Sequence, residues 1–294
     1  MAKVLKYYIN IGIFALLIFT VVITQGCATS EAVSLPAVEE FEIQTERHDR
    51  TTLRAGVVSG LYADMFTDAI KPQLESMGYT VELEFHDNYT LPNIALARGR
   101  NDLNIFQHFS SLNAFKLEND LALSAIAEIP TLPMGIFSKK FSSLEDIEDG
   151  IIVSIPNDSS NLSRALRLLD AARLIRINPS VDRRNVTLHD IIDNPHNLRL
   201  APIRSETLID SIDTVGLVVM DADYAVSSGL SIRYELFSER MDVDYLKVIV
   251  VRTEDLYKQF VQDIITVLQS EEFKSFIESN AKYARFQKPP GFYS

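Results

Sequence analysis

The chain has 294 residues, of which 47% are hydrophobic and 23% are charged, and this composition excludes global disorder. A chain of this length can bury one large hydrophobic core or two smaller ones. The formal net charge of −12 and the lack of a basic stripe argue against a nucleic-acid surface, and the single cysteine excludes an intrachain disulfide bond.

The N-terminus has the pattern of an export signal. Lys3 and Lys6 precede an apolar run over residues 11–23, and Gly26-Cys27 follows it closely. The run has the length of a signal peptide and is short for a membrane-spanning helix. The segment resembles a bacterial lipoprotein signal, which is cleaved before a cysteine that then carries lipid chains such as palmitate.

Two positions depart from that signal, because Thr24 and Gln25 stand where leucine and a small residue are usual. We predict a signal peptide over residues 1–26, lipidation of Cys27 and a flexible tether over residues 27–50, which are rich in carboxylates and turn-forming residues. The alternative is an uncleaved signal anchor with an incidental cysteine.

From residue 53 onward, strand patterns alternate with helix patterns, as in α/β proteins. In the first block we predict a strand from residue 53, a helix over 65–77 with a kink at Pro72, a strand over 80–85 with Phe85 facing inward, a short helix from Pro92, a strand over 103–106, a helix over 111–118 and a strand over 121–127.

Two side chains in this block are candidate ligand contacts. Tyr89 follows a strand end, where ligands of open α/β sheets gather, although it could also pack on its own loop. His108 lies beside aromatic residues and could be a ligand contact, a metal ligand or a packed surface histidine. Because the chain has five histidines and none at metal-ligand spacing, we predict no metal site and no cofactor.

The second block begins after a proline-rich segment. We predict an extended crossover over 129–138, a helix start over 142–147, a strand over 151–156 followed by a helix to about 169, an irregular section over 173–185, a short helix over 187–192, a strand over 198–203, a short helix over 206–212, strands over 215–220 and 245–251, and a C-terminal helix over about 255–279.

The polar turn before the helix that ends near residue 169 predicts an anion site. Ser160 or Asn161 can cap this helix, which places Arg164 within its first turn or so. Free backbone N–H groups and a guanidinium together can bind a carboxylate or phosphate. The alternative for Arg164 is a solvated surface arginine. Asp221, at the end of the strand over 215–220, is either a ligand contact or a helix cap.

Several motifs together resemble the NlpA/MetQ family, the methionine-binding lipoproteins of bacterial ABC importers, over residues 53–290. They are Tyr89 with Pro92-Asn93-x-Ala95-Leu96, Asn104-x-Phe106-Gln107-His108, Ser138-Lys139-Lys140, Pro156-Asn157-Asp158-x-x-Asn161-Leu162-x-Arg164-Ala165-Leu166, Asn194-Pro195-x-Asn197-Leu198 and Tyr224-Ala225. The resemblance implies an α/β, two-lobed type 2 periplasmic-binding-protein fold with a central cleft. Lobe 1 would cover residues 51–134, lobe 2 residues 135–240, and residues 241–294 would return to lobe 1.

The resemblance also assigns roles at the cleft. Arg164 matches the arginine that holds the ligand carboxylate, and Asp221 and Lys247 stand where the family usually has asparagines. We predict that these two residues form a mutual salt bridge, since opposite charges within about 4 Å offset much of their desolvation. The predicted substrate-binding residues are Tyr89, Phe106, His108, Asn161, Arg164, Asp221 and Lys247.

These features predict a non-enzymatic, substrate-binding lipoprotein that captures a methionine-like amino acid or a small peptide for the membrane subunits of an ABC importer. It would be exported and lipid-anchored to a bacterial membrane, on its periplasmic or cell-surface face. The alternative is an envelope interaction lipoprotein that keeps the fold but has lost or altered ligand binding. An enzyme lacks support, because no Ser-His-Asp order, metal cluster or phosphate-binding loop is visible in the sequence.

Overall fold

Twelve strands and eight α-helices are defined in the computed structural model, which describes residues 51–293. The strands are β1 Thr52–Val58, β2 Thr80–His86, β3 Leu103–His108, β4 Leu123–Glu128, β5 Met134–Phe137, β6 Ile152–Pro156, β7 Arg176–Ile177, β8 Ile191–Asp193, β9 Arg199–Ile203, β10 Leu217–Asp221, β11 Glu235–Ser238 and β12 Lys247–Arg252. The helices are α1 Leu61–Met65, α2 Lys71–Ser76, α3 Leu91–Ala97, α4 Phe109–Asn119, α5 Ser159–Ala171, α6 Ala222–Ser227, α7 Gln259–Gln269 and α8 Glu271–Ser279.

The first sheet contains the first four strands and the last strand of the described chain. Its strand order is β2-β1-β3-β12-β4, so the last strand of the sequence lies between β3 and β4. β1 is parallel to β2 and β3, whereas β12 is antiparallel to both of its neighbours. The C-terminal return strand predicted over residues 245–251 therefore enters this sheet.

The second sheet comes from the middle of the chain and has the order β11-β5-β10-β6-β9. The chain passes from the first sheet to the second between β4 and β5, and returns between β11 and β12. The described residues form a single unit by their contacts, so the lobe boundaries near residues 134 and 240 stay a prediction. The β-sheets and their covering helices give the mixed α/β class that the sequence predicted.

The apolar core is continuous between the two sheets. One cluster contains Leu53 and Ile105 of the first sheet together with Phe137, Val218 and Met220 of the second, all with no exposed surface. A second cluster packs the opposite face of the second sheet against α5, whose leucines lie on one side of the helix. These two cores hold the ends of β3 and β10 close to the start of α5.

The helix predicted over residues 65–77 is interrupted by a π-helical turn. This turn spans Phe66–Ile70, and Pro72 then lies at the start of α2, where a missing backbone N–H costs least. Met77, at the end of the predicted helix, is 40% exposed.

The predicted inward orientation of Phe85 is wrong. Its side chain is 60% exposed on β2, which is an edge strand, while its neighbour His86 is buried. Asn101 Nδ2 lies 3.3 Å from His86 Nε2, so the end of β2 turns a polar side chain inward.

Other differences concern segments with prolines or polar breaks. The crossover predicted over residues 129–138 contains β5, and the irregular section over 173–185 contains β7. The C-terminal helix is two helices, because Ser270 is extended and its hydroxyl caps α8 by accepting from the Phe273 N–H at 3.1 Å. Within residues 51–293 no helix has the length and hydropathy required to cross a bilayer. Cys27 and its signal lie outside the described residues.

Candidate ligand-binding site

A cavity of about 660 Å³ lies where the two sheets meet, and most of the predicted site residues line it. β3 and the loop after β2 form one wall, while the start of α5 and the end of β10 form the other. The lining residues among those predicted are Tyr89, Phe106, His108, Asn161, Asp221 and Lys247. Arg164 does not line this cavity, and its side chain is 1% exposed.

The cap of α5 differs from the sequence prediction. Asp158 is the N-cap, and its Oδ1 accepts from the Asn161 N–H at 3.0 Å, whereas Ser160 and Asn161 lie inside the helix. Arg164 therefore belongs to the second turn. The unfavourable effect of the helix dipole on a cation falls off beyond the first turn, so the predicted dipole argument does not apply to Arg164.

The guanidinium of Arg164 is already bound by carboxylates of the protein. Nε donates to both oxygens of Glu239 at 3.0 Å, and Nη2 donates to the same carboxylate. Nη1 donates to Asp221 Oδ1 at 2.7 Å, and the group lies 4.6 Å from the ring centre of Tyr245. A role for Arg164 in holding a ligand carboxylate stays a prediction, and it would require one of these contacts to change.

Asp221 and Lys247 form the salt bridge that the sequence predicted. Lys247 Nζ donates to Asp221 Oδ2 at 3.1 Å, and both side chains are less than a tenth exposed. Burial alone would raise the pKa of Asp221, but the charges of Lys247 and Arg164 hold that pKa below its usual value. Asp221 is also the N-cap residue of α6, although its side chain makes no capping hydrogen bond there.

His108 connects the two walls of the cavity as a neutral imidazole. Its Nδ1 accepts from the Ser111 N–H at 3.1 Å, so the proton is on Nε2, which donates to Asn161 Oδ1 at 2.9 Å. Burial, and after it the charge of Arg164, lowers the pKa of His108 to about 3. Because Asn161 belongs to α5, this contact joins the first sheet to the helix that packs on the second sheet.

Aromatic rings form the apolar part of the cavity wall. Tyr89 and Phe106 are stacked, with ring centres 5.7 Å apart, and Tyr224 meets Tyr89 edge to face at 5.8 Å. Burial raises the pKa of Tyr89 well above its usual value, so its phenol stays neutral. Such rings suit an apolar or cationic group of a ligand.

A buried amide network supports this wall from behind. Asn93 and Gln107 exchange two hydrogen bonds, at 2.8 and 2.7 Å, and Asn104 Nδ2 donates to Asn93 Oδ1 at 3.1 Å. Asn93 and Gln107 also line the cavity. They were part of the motifs that carried the family resemblance, but the sequence did not indicate a position at the site.

Two further carboxylates lie near the inner end of the cavity. Glu239 follows β11, a strand that the sequence analysis missed, and the run Glu235-Leu236-Phe237-Ser238 is the signal that could have revealed it. Asp223 is 9% exposed, and its Oδ1 has no hydrogen-bond partner within residues 51–293. Burial raises the pKa of Asp223 to about 6, opposed by Lys247 and supported by Asp221.

Two linked α/β lobes with a cavity at their junction define a ligand-binding protein of the bilobal type. The chain matches the model of the NlpA lipoprotein family over residues 53–289, and it belongs to this family. It is 32% identical to the D-methionine-binding lipoprotein MetQ of Salmonella typhi over 230 residues, which cover 77% of this chain and 84% of the relative.

Solved structures of substrate-binding proteins are also similar to this chain. A nutrient binding protein from Burkholderia cenocepacia bound to methionine has a TM-score of 0.73 and 29% identity, covering 77% of this chain and 95% of the other. A periplasmic substrate-binding protein of an ABC transporter from Coxiella burnetii has a TM-score of 0.74 and 29% identity, covering 80% of this chain and 99% of the other.

These similarities confirm several sequence predictions. The fold is that of the two-lobed periplasmic binding proteins, and the chain is an exported lipoprotein of the bacterial envelope with a binding function and not an enzyme. The attachment of lipid at Cys27 and the roles of the seven predicted site residues stay predictions.

Proposed function

We propose that this protein captures a small amino-acid ligand, a methionine-like amino acid or a short peptide, and delivers it to the membrane subunits of an ABC importer. The observation that carries the proposal is the cavity of about 660 Å³ between the lobes. Ligand sites commonly enclose about 300–1,000 Å³, so a small amino acid derivative fits. The names of the relatives, which include methionine-binding and transporter proteins, support this ligand class.

The walls of the cavity offer both parts of such a site. Tyr89 and Phe106 provide stacked rings for an apolar side chain, and His108 and Asn161 provide polar groups on opposite walls. Closure of two lobes around a ligand excludes water and strengthens each polar contact. The hydrogen bond between His108 and Asn161 would form as the lobes close.

The test is to identify and remeasure the bound ligand. Small molecules released from the purified protein by denaturation are identified by mass spectrometry, and their affinity is then measured by calorimetry. Phe106→Ala should weaken binding by about tenfold or more, because a buried aromatic contact contributes more than about 1.4 kcal/mol. Tyr257→Ala, at a 94% exposed position, is the control. Equal affinities of the two variants would contradict a ligand in this cavity.

The second candidate, an envelope lipoprotein that has lost or altered ligand binding, is favoured by one observation. Arg164 is 1% exposed and is bound by Asp221 and Glu239, which leaves it no access to the cavity. If Asp221 and Lys247 exclude an amino acid, methionine should bind the parent weakly.

The double variant Asp221→Asn with Lys247→Asn tests that exclusion. It removes one charge of each sign and frees Nη1 of Arg164, so methionine should bind more tightly than it does to the parent. Calorimetry with methionine on both proteins measures the difference. Tight binding by the parent, or no gain in the double variant, would show that this pair does not set the specificity.

A further inference from the structure

The arginine that could hold a ligand carboxylate is saturated by the protein itself. Nε and Nη2 of Arg164 bind Glu239, and Nη1 binds Asp221 at 2.7 Å. Nη2 also lies 3.6 Å from Met241 Sδ, and Tyr245 covers one face of the guanidinium. A ligand carboxylate would have to displace a buried, charge-assisted pair to reach this group.

The inner end of the cavity already displays an ammonium group and a carboxylate. Lys247 and Asp221 both line the cavity and pair at 3.1 Å, and Lys247 Nζ also lies 5.1 Å and 5.9 Å from the ring centres of Tyr62 and Tyr89. These are the two charges that the head group of a free amino acid carries. The protein's own pair therefore occupies the interactions that such a head group would make.

The charges around this pair leave an excess of negative charge. Arg164 and Lys247 face three carboxylates, those of Asp221, Glu239 and Asp223, which gives two positive and three negative groups. Asp223, whose Oδ1 has no hydrogen-bond partner among the described residues, lines a small adjoining cavity that shares Tyr89 with the main one. A further carboxylate from a ligand would meet like charge, whereas an ammonium group would offset it.

The mouth of the cavity also carries negative charge. Glu118 and Asp158 line it and form no ion pair within the part of the chain that the structure describes. Arg204 lies on the same rim, but its Nε pairs with Glu206 at 3.5 Å. Field lines from such a rim attract a cation and repel an anion before either reaches the inner end.

From this arrangement, and resting on the ligand-binding function proposed above, we infer that the cavity takes a positively charged ligand without a free carboxylate, in place of the free amino acid or peptide. The ligand class is the amine or amide derivative of an amino acid with an apolar side chain. The ammonium group lies over the stacked rings near the acidic inner end, and the side chain packs on Phe106. The free amino acid is excluded by the internal pair.

The experiment compares two probes that differ only in the carboxylate. Calorimetry at pH 7 measures the affinities of methionine and of 3-(methylsulfanyl)propylamine for the full chain in detergent. The amine should bind the parent about tenfold or more tightly than methionine, since placing like charges together costs more than about 1.4 kcal/mol. Asp221→Asn with Lys247→Asn should reverse the order. Glu272→Gln, at an exposed carboxylate of α8, is the control and should change neither affinity.

Each other result has a defined meaning, provided that circular dichroism shows the variants to be folded. Methionine binding the parent as tightly as the amine, or more tightly, overturns the inference and leaves the proposed function standing. If neither probe binds the parent but methionine binds the double variant, the inference fails and lost ligand binding is favoured. If neither probe binds either protein, both the inference and the methionine-like ligand class fail.

Discussion

Arg164 carries a full charge at a position with 1% exposure, so its two carboxylate partners depend on it. Arg164→Met should lower the free energy of unfolding by about 3–5 kcal/mol, because Glu239 would remain largely buried without a cation and Asp221 would keep only Lys247. Arg167→Met is the matched control on the same helix, since Arg167 pairs with the exposed Asp242 and a surface pair contributes about 1 kcal/mol or less. Urea unfolding of both variants measures the two losses, and equal losses would contradict this assignment.

His108 should make the protein less stable in acid. Burial lowers its pKa to about 3, so between that pH and its ordinary value the unfolded chain binds a proton that the folded chain does not. The contribution of neutral His108 to the free energy of unfolding is therefore fully present above the ordinary pKa of histidine, and it is lost as the pH falls towards about 3. Asp223 has the opposite effect on stability. Because its pKa is raised to about 6, the folded chain binds a proton there at a pH at which the unfolded chain does not. Both effects are large enough to measure.

The test separates the two groups by substitution. The difference in free energy of unfolding between His108→Gln and the parent should shift by about 1–2 kcal/mol in favour of the variant between pH 7 and pH 5. His189→Gln, at an exposed position, is the control. A constant difference between His108→Gln and the parent at both pH values would show that His108 is not held neutral by burial.

Among single residues, the sequence located six that line the cavity. Tyr89, His108 and Asp221 stand at strand ends and Asn161 near a helix start, whereas Phe106 and Lys247 were assigned through the family resemblance. The sequence did not locate Glu239, which meets Arg164 across 75 positions of the chain. A long-range ion pair leaves no periodic signal near either residue. The burial of Arg164 depends on that partner, so it could not be predicted from the turn before α5 alone.

Gly56 marks a place where two elements approach closely within the first sheet. A Cβ atom at this position would lie 2.1 Å from Asn101 Nδ2 and 2.2 Å from Asn104 Oδ1, which belong to the amide network behind the cavity wall. Gly56→Ala should lower the free energy of unfolding by about 2–3 kcal/mol through overpacking. Thermal and urea unfolding measure the loss, and a change below about 0.5 kcal/mol would contradict the close approach.

Elements with strong apolar patterns were predicted well, and those that depend on tertiary contacts were not. β10 and β12 are buried throughout and β1 is largely buried, and all three lie where the sequence predicts strands. β5 follows two prolines, and it is a strand because β10 and β11 pair with it on either side. The π-helical turn before Pro72 is likewise a local adjustment that no periodicity indicates.

At the scale of the whole molecule, polar contacts across the cavity hold the lobes together. Ser110 Oγ of α4 and Ser160 Oγ of α5 lie 2.9 Å apart, and the Tyr89 N–H donates to Glu206 Oε1 at 3.2 Å. Cysteines at positions 110 and 160 would place two sulfur atoms within reach of a disulfide bond, which needs about 2.05 Å between them. The oxidised protein should then be fixed in the closed arrangement.

We expect Ser110→Cys with Ser160→Cys to lose ligand exchange on oxidation and to recover it when reductant is added, since exchange requires the lobes to separate. Fluorescence of a bound probe, followed after excess competitor is added, measures the exchange rate. Each single cysteine variant is a control and should exchange at the parent rate. Unchanged exchange in the oxidised double variant would show that ligands enter without lobe opening.

The position of β12 between β3 and β4 has a consequence for biosynthesis. Residues 247–252 must arrive before β4 can join the first sheet, although β4 is made more than a hundred residues earlier. Nascent chains emerge from the ribosome N-terminus first, so this sheet stays incomplete until most of the polypeptide has been synthesised. The signal peptide predicted over residues 1–26 implies export, and a chain exported in an unfolded form would benefit from such late completion, because premature folding would block its passage.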